Sequence, residues 1–349
     1  MTSRFDSRRR SLLALGAACA AARAWPAVAA DATPGNHALK VGLLRNPVAG
    51  LIAIAEEKGW FRQEGLQFSP VLFAGAGGPK LIQAMGGGSV DLGTVSATAA
   101  LLALASGAVP LQIVSIATDP VPAFVILSAP GIRTVPDLEG KRVATSAGTG
   151  LQYFLARALG KFGMSLRDVE FVNLPVGDAH AAFLAGRVDA VVPSLNGRYY
   201  IRNLRKDTRE LFTADMFARP PGTPVKFEDY DVFVAPRGVV ASQRDALRAF
   251  LAAYHGKAVP YLLDRATHAN AVAEITRYVN VEQKSPIDES AMRQQLEASR
   301  FFDVADARAI MSGADLRAGL EDQLRFLGES KQLAGTIRID DVIARGLLD

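Results

Sequence analysis

The chain has 349 residues, 49% of them hydrophobic and 21% charged, an ordinary globular composition long enough for more than one folded unit. Its formal net charge of +4 is local. Arg4, Arg8, Arg9, Arg10 and Arg23 stand against the single acid Asp6 within residues 1–30, and the remainder is near neutral, so the basic balance is no footprint of nucleic-acid binding.

The chain begins with the layout of an export signal. A basic start is followed by an apolar stretch, Leu12 to Ala22, and by small residues at Ala27, Ala29 and Ala30, with cleavage expected after Ala29 or Ala30. The apolar stretch is too short for a membrane span, which needs roughly 20 residues. "RRRSLL" has the form of a twin-arginine signal with Arg9 and Arg10 as the pair; an ordinary secretory signal with one extra arginine is the alternative. Cys19 is the one cysteine and falls inside this leader, with Gly16 where a lipoprotein signal needs a large aliphatic residue. A chain cut near Ala30 would have no disulfide, no thiol nucleophile and no cysteine metal site. It is expected outside the cytoplasm, in the periplasm.

Beyond the leader, strands and helices alternate. "LKVGLL" (39–44) reads as a buried strand and "AGLIAIAEEKGWF" (49–61) as a helix. "LQFSPVLF" (66–73) is a strand, "GGPKLIQAMGGG" (77–88) a short helix with Pro79 in its first turn, and "VDLGTV" (90–95) a strand. "SATAALLALASG" (96–107) is a helix and "LQIVSIA" (111–117) a strand. This order predicts a parallel sheet covered on both faces.

The pattern then restarts. "AFVILSA" (123–129) and "KRVATS" (141–146) are strands, and "TGLQYFLARALGKFG" (149–163) is a helix. "VEFVNL" (169–174), "DAHAAFLAG" (178–186) and "VDAVVP" (188–193) follow as strand, helix and strand. "LIQAMGGGSVDLGTV" and "AHAAFLAGRVDAVVP" both place a short apolar helix before Gly-x-Val-Asp and a strand, with Asp91 and Asp189 in matching positions. Two similar α/β lobes are predicted, and that pair of aspartates is read as structural.

After Leu211 the texture changes. "TADMFARPPGTPVKFEDY" suits a connection, "DVFVAP" (231–236) is one more strand, and from Ser242 the chain is mostly amphipathic helix, as in "RDALRAFLAAYHGKAVPYLL" (244–263). The chain is expected to leave lobe I near Asp119 and return near Tyr230. That gives lobe I as 38–119 plus 229–349, lobe II as 120–228, and a cleft between them.

The stretches "GLIAIAEEKGWFRQEGLQFSPVLF", "GGGSVDLGTV", "VPDLEGKRVATSAGTGLQYFLARAL" and "AAFLAGRVDAVV" resemble the periplasmic solute-binding proteins of nitrate/sulfonate/taurine-type ABC importers, relatives of the thiamine-pyrimidine binding proteins. The likeness runs from Leu39 to about Leu251 and thins in the C-terminal helices. It implies a two-lobed type II periplasmic-binding-protein fold, each lobe a mostly parallel sheet flanked by helices, with two crossing segments. It also implies delivery of a small solute to an ABC permease in the membrane. These stretches identify the family far better than the solute.

Ligands of open α/β sheets bind beyond the carboxyl ends of strands, where helix N-termini offer free N–H groups. The candidate ligand contacts are Asn46 in "RNPVAG", Ser96 and Thr98 in "VSATA", and Ser146, Gly148, Thr149 and Gly150 in "TSAGTG". The "FAGAGGPK" loop (73–80) is a further site of the same kind. Pro47 holds Asn46 extended, so its amide can face a cleft. Ser96 and Thr149 could equally be plain helix caps. Asp119, Asp178, Asn196 and Tyr230 lie near the expected crossings or the lobe II loops. Among the histidines, only His180 is expected near the cleft.

No nucleophile elbow, paired-acid motif, phosphate loop or metal-ligand spacing is present, so no catalytic residue, cofactor or metal is expected. The leading reading is a monomeric binding protein for a small solute, a sulfonate, carboxylate, nitrate-like or heteroaromatic compound, with no nucleic-acid partner. The alternatives are an enzyme on the same fold, of the pyrimidine-synthesising kind, and a sensory module that presents its ligand to a membrane receptor.

Overall fold

The structure, a computed structural model, describes residues 37–73, 78–218, 227–281, 286–333 and 335–349. The expected export signal and part of the "FAGAGGPK" loop lie outside the described residues. Among the described residues the strands are β1 (His37–Leu43), β2 (Leu66–Leu72), β3 (Leu92–Ser96), β4 (Leu111–Asp119), β5 (Val125–Ser128) and β6 (Arg142–Thr145). They continue with β7 (Glu170–Asn173), β8 (Ala190–Val191), β9 (Arg209–Thr213), β10 (Asp231–Pro236) and β11 (Arg300–Phe301).

They form two sheets, in the orders β11-β4-β10-β3-β1-β2 and β7-β6-β8-β5-β9. In the first, β1, β2, β3 and β4 run one way, while β10, between β3 and β4, runs the other. In the second, β6, β7, β8 and β9 run one way and β5, between β8 and β9, is reversed. β11 also runs against β4, while β5 and β10 are reversed for a common cause. β5 and β10 are the first strands after the chain leaves one sheet for the other. A chain that leaves a sheet at the carboxyl edge of its strands and enters a facing sheet at that same edge must run against the strands already there.

The predicted duplication extends to side chains. The Asp91 carboxylate accepts the Lys40 backbone N–H at 2.9 Å, and the Asp189 carboxylate accepts that of Arg142 at 2.9 Å. Each aspartate thus clips the parallel strand beside the one it precedes, β1 for Asp91 and β6 for Asp189. Asp189 is the stronger clip, because the Arg142 guanidinium adds two bonds at 3.0 and 2.9 Å, whereas the Lys40 ammonium stays at 3.8 Å from Asp91.

Several elements depart from the reading of the sequence: Gly59 splits the helix read over 49–61, and the short strand β11 falls in a stretch read as helical. β9 and the helix Leu195–Leu204 fall where no element was assigned, and the helix expected over 244–263 is interrupted by a wider turn at Tyr254–Ala258. Pro260, just beyond that turn, has no N–H to bond back to Gly256, which accounts for the local loss of regular helix.

A large apolar interior spans both sheets. Phe154 packs against Phe124, Phe212, Phe217 and Phe227. Tyr153 lies between Phe227 and Phe326, with ring centres 5.0 and 5.1 Å away. Phe326 belongs to the helix Ala314–Glu329, which leans on the helix Ala97–Ala105 that follows β3. Among the described residues, no helix is long and apolar enough to cross a membrane.

Candidate functional site

The carboxyl edges of the two sheets face each other, and the residues between them form the candidate ligand site. On the first sheet the register sets a row across this edge. Asp231 pairs with Ser96 of β3 and with Thr118 of β4, and Arg300 pairs with Asp119. On the second sheet the edge carries the turn Ser146–Gly150 after β6 and the turn Ser194–Asn196 after β8.

Two of these turns touch directly. Ser96 caps the helix Ala97–Ala105, its Oγ accepting the Ala99 N–H at 3.2 Å. The same oxygen accepts the Gly150 N–H at 3.2 Å, where the helix Gly150–Gly160 begins. The glycines make the approach feasible. Gly148 has φ of +70°, a left-handed conformation that side chains disfavour, and a Cβ there would come within 2.8 Å of Leu102. A Cβ on Gly150 would fall 1.6 Å from Asp229 Oδ2. Thr149 holds the extended N-cap position, yet its hydroxyl donates to the Ser146 carbonyl at 2.7 Å rather than capping the helix.

Thr98 is 1% exposed. Its N–H and hydroxyl both lie 3.3 Å from Asp229 Oδ1, and the hydroxyl is also 3.2 Å from Gln323 Oε1. It therefore braces the junction from within instead of facing an open cleft. Asn46 is extended as expected, but its Oδ1 caps the helix Pro47–Glu57 by accepting the Ala49 N–H at 2.9 Å, which leaves Nδ2 as its outward donor. Asp119 accepts the Val121 N–H at 3.0 Å and lies 3.9 Å from Arg300. The Tyr230 carbonyl accepts the Ala97 N–H, and its ring meets Phe302 edge-on. Asn196 sits in the first turn of its helix, and its buried Oδ1 has no hydrogen-bond partner.

Asp178 is the outlier. It is exposed in the first turn of the helix Val176–Leu184, after the edge strand β7. The structure brings Ser96, Thr98, Asp119, Gly148, Gly150 and Tyr230 to the junction of the two sheets and leaves Asp178 on the outer rim. The "SAGTG" turn meets the Ser96 turn; no described contact joins it to Asn46.

His180 lies beneath the second sheet's edge. It is 4% exposed, and its Nε2 accepts the Ser194 N–H at 3.3 Å. Burial pushes its pKa down to about 4, so the ring is neutral and props up the Ser194 turn.

The residues that reading by pattern missed are Asp229 and Asp231. Burial pushes the Asp231 carboxyl up to about 7, with the charge of Asp119 adding to the effect. Burial also raises the Asp229 carboxyl well above the usual range, with Asp231 next in importance. Both stand in "FEDYD" (227–231), an acidic run placed just before a strand. That placement was the available signal.

A family profile described as NMT1/THI5 like matches residues 46–267. The chain belongs to the NMT1/THI5-like family. It is 34% identical over 166 residues to a protein of Escherichia coli (strain K12) described as an aliphatic sulfonates-binding protein, a match covering 47% of this chain and 50% of that one. The chain thus spans about half the length of that relative. A Haemophilus influenzae relative, described as a thiamine biosynthesis protein, is 26% identical over 275 residues, covering 75% of this chain and 82% of that one. Among solved structures, the alkanesulfonate-binding protein SsuA from Xanthomonas axonopodis pv. citri, bound to MOPS, superimposes with a TM-score of 0.70 at 22% identity, over 90% of this chain and 100% of that one. The fold is that of a periplasmic binding protein.

Proposed function

We propose that this protein is an extracytoplasmic solute-binding protein that takes up a small organic sulfonate or a related anion between its two lobes and presents it to an ABC importer. The lobes in this reading are 38–119 with 229–349, and 120–228. The observation that carries the reading is the pair of helix N-termini on the second sheet's edge that faces the first sheet, after Thr149 and Ser194. The first N–H groups of each helix have no acceptor within the helix, and the helix dipoles favour negative charge there. The sulfonate-binding relatives and the export-signal layout expected of residues 1–30 point the same way.

The acidic residues limit where the anion can sit. Asp119 and Asp231 lie on the first sheet's edge, so a sulfonate is repelled there and favoured at the Gly150 and Leu195 helices of the second sheet. The organic remainder then faces the Tyr230 and Asp231 side. A charge-assisted hydrogen bond contributes roughly 1.5–3 kcal/mol, so three or four would be of the order of the ~8 kcal/mol of a micromolar complex, before ordering costs are subtracted. A lysine is not required.

The test is a thermal-shift and calorimetric screen with alkane- and arenesulfonates, aromatic carboxylates, nitrate and pyrimidines. A solute at 100 times its Kd stabilises by about 2.7 kcal/mol, which moves the melting temperature by several degrees. A sulfonate should do this; if no small solute does, the reading fails. A second reading, chemistry on the same fold, rests on the thiamine-biosynthesis relative. Turnover of a solute that binds would establish it.

A further inference from the structure

Asp229 is the most unusual group at the junction of the sheets. It is 1% exposed, and its Oδ2 has no hydrogen-bond partner. That oxygen lies against the Cα of Gly150, which begins the first helix of the second sheet, whereas Asp229 itself leads into β10 of the first sheet. Only the absence of a side chain at Gly150 permits the contact, and the Gly150 N–H is already engaged by Ser96. Asp229 Oδ1 is held by Thr98. A carboxyl group is thus clamped between the two lobes with half its acceptor capacity unused.

We propose that Asp229 and Gly150 form a proton-linked latch: closing the lobes removes the Asp229 carboxyl from water, opening returns it, and closure therefore takes up a proton. The proposal rests on the solute-capture reading, in which the lobes part and close. No charged residue lies on the helix Ala97–Ala105 to offset the buried group. From the Gly150 helix Tyr153 lies within electrostatic reach of it, and from the Ala314 helix Gln323 shares the Thr98 hydroxyl with it. Asp322 accepts the Tyr153 hydroxyl and pairs with Arg157 and Arg325. From β10 and β4 come two further carboxylates, Asp231 and Asp119, the latter beside Arg300, and Glu228 precedes Asp229 in the chain. Burial, and then the charges of Asp231 and Asp119, oppose ionisation, while the two Thr98 bonds favour it.

The sign follows directly. The carboxyl has an ordinary pKa near ~4 when open and a raised one when closed. The closed form therefore binds the proton more tightly. As pH rises above the open-state value, the closed-to-open ratio falls, by at most about tenfold per pH unit for one proton, and levels off above the closed-state value.

The experiment is fluorescence energy transfer in the full chain, ligand-free, with dyes at Leu72→Cys and Leu204→Cys in a Cys19→Ser background. Both leucines are exposed, 50% and 62%, one on the first sheet and the other on a helix of the second. The closed fraction should fall with rising pH. Asp229→Asn should abolish that slope and hold the closed fraction at its low-pH value, while Asp231→Asn should leave a slope. Gly150→Ala should keep the lobes open at every pH. If Gly150→Ala fails to fold, the Asp229→Asn titration still decides. A slope that survives Asp229→Asn, or a flat titration of the parent chain, overturns the latch. Adding ethanesulfonate or benzenesulfonate at fixed pH separates the two claims. If the sulfonate closes the lobes but the titration is flat, the latch fails alone; if neither changes the distance, the capture reading fails with it.

Discussion

Two buried histidines should each make this protein less stable in acid, against the opposite contribution of Asp229 and Asp231, whose raised carboxyls favour the folded state as pH falls. His255 is fully buried on the first sheet's side, with Nε2 2.9 Å from the Ser115 hydroxyl and Nδ1 2.7 Å from the Phe302 carbonyl. The carbonyl can only accept, so Nδ1 carries the proton and Nε2 accepts from Ser115. Burial pushes the pKa of His255 down to about 4, despite the opposing pull of that carbonyl and of Asp303. His180 is pushed to about 4 by burial alone. Each falls from 6.5, so below that pH the unfolded chain binds protons that the folded chain refuses. The histidines' contribution is complete above pH 6.5 and is lost as pH falls toward 4, while the raised carboxyls of Asp229 and Asp231 add stability over the same fall. Each histidine contributes a slope of at most ~1.4 kcal/mol per pH unit and a total near ~3 kcal/mol. Urea unfolding between about pH 5 and pH 6.5 measures the slope. His255→Asn and His180→Asn should each lower the slope of the parent by up to ~1.4 kcal/mol per pH unit, whatever they do to stability at neutral pH. If both variants keep the parent slope, the burial argument is wrong.

Two structural predictions follow from the same geometry. Gly197→Ala places a Cβ 2.2 Å from the His180 ring, a rigid neighbour, and should cost about 1–3 kcal/mol in urea unfolding, with loss of the Ser194 turn visible in amide exchange. Asp189→Ala removes three hydrogen bonds from a partly exposed clip and should cost about 1–2 kcal/mol, more than Asp91→Ala, whose ammonium partner is distant. Equal costs would show that the guanidinium bonds contribute nothing.

Much of the fold was legible because its signals are local. Apolar strands such as Leu39–Leu44, helices punctuated by Gly59 and Gly65, and the repeated Gly-x-Val-Asp each announce themselves within a few residues. The helix Leu195–Leu204 was missed because its first turn, "LNGRYY", has a polar, glycine-containing texture that reads as loop. β9 was missed because "RELFT" is short and pairs on one side only, with β5. Such an edge strand is defined by its neighbour more than by its own sequence.

The candidate site was legible in type but not in detail, and the reason is topological. Helix caps announce themselves in sequence, which is why Ser96, Thr149 and Asn46 could be picked out. Whether a capping group also reaches across to the other sheet depends on which two turns the fold opposes. Ser96 meets Gly150 because β10, a strand from late in the chain, enters beside β3 and brings Asp229 with it. The contact joins residues 54 and 79 positions apart in sequence, through side chains that are individually unremarkable. An aspartate before a strand becomes significant only once a glycine from the opposite lobe is seen to leave exactly one oxygen's width for it. Substituting that glycine therefore tests the topology and the site together.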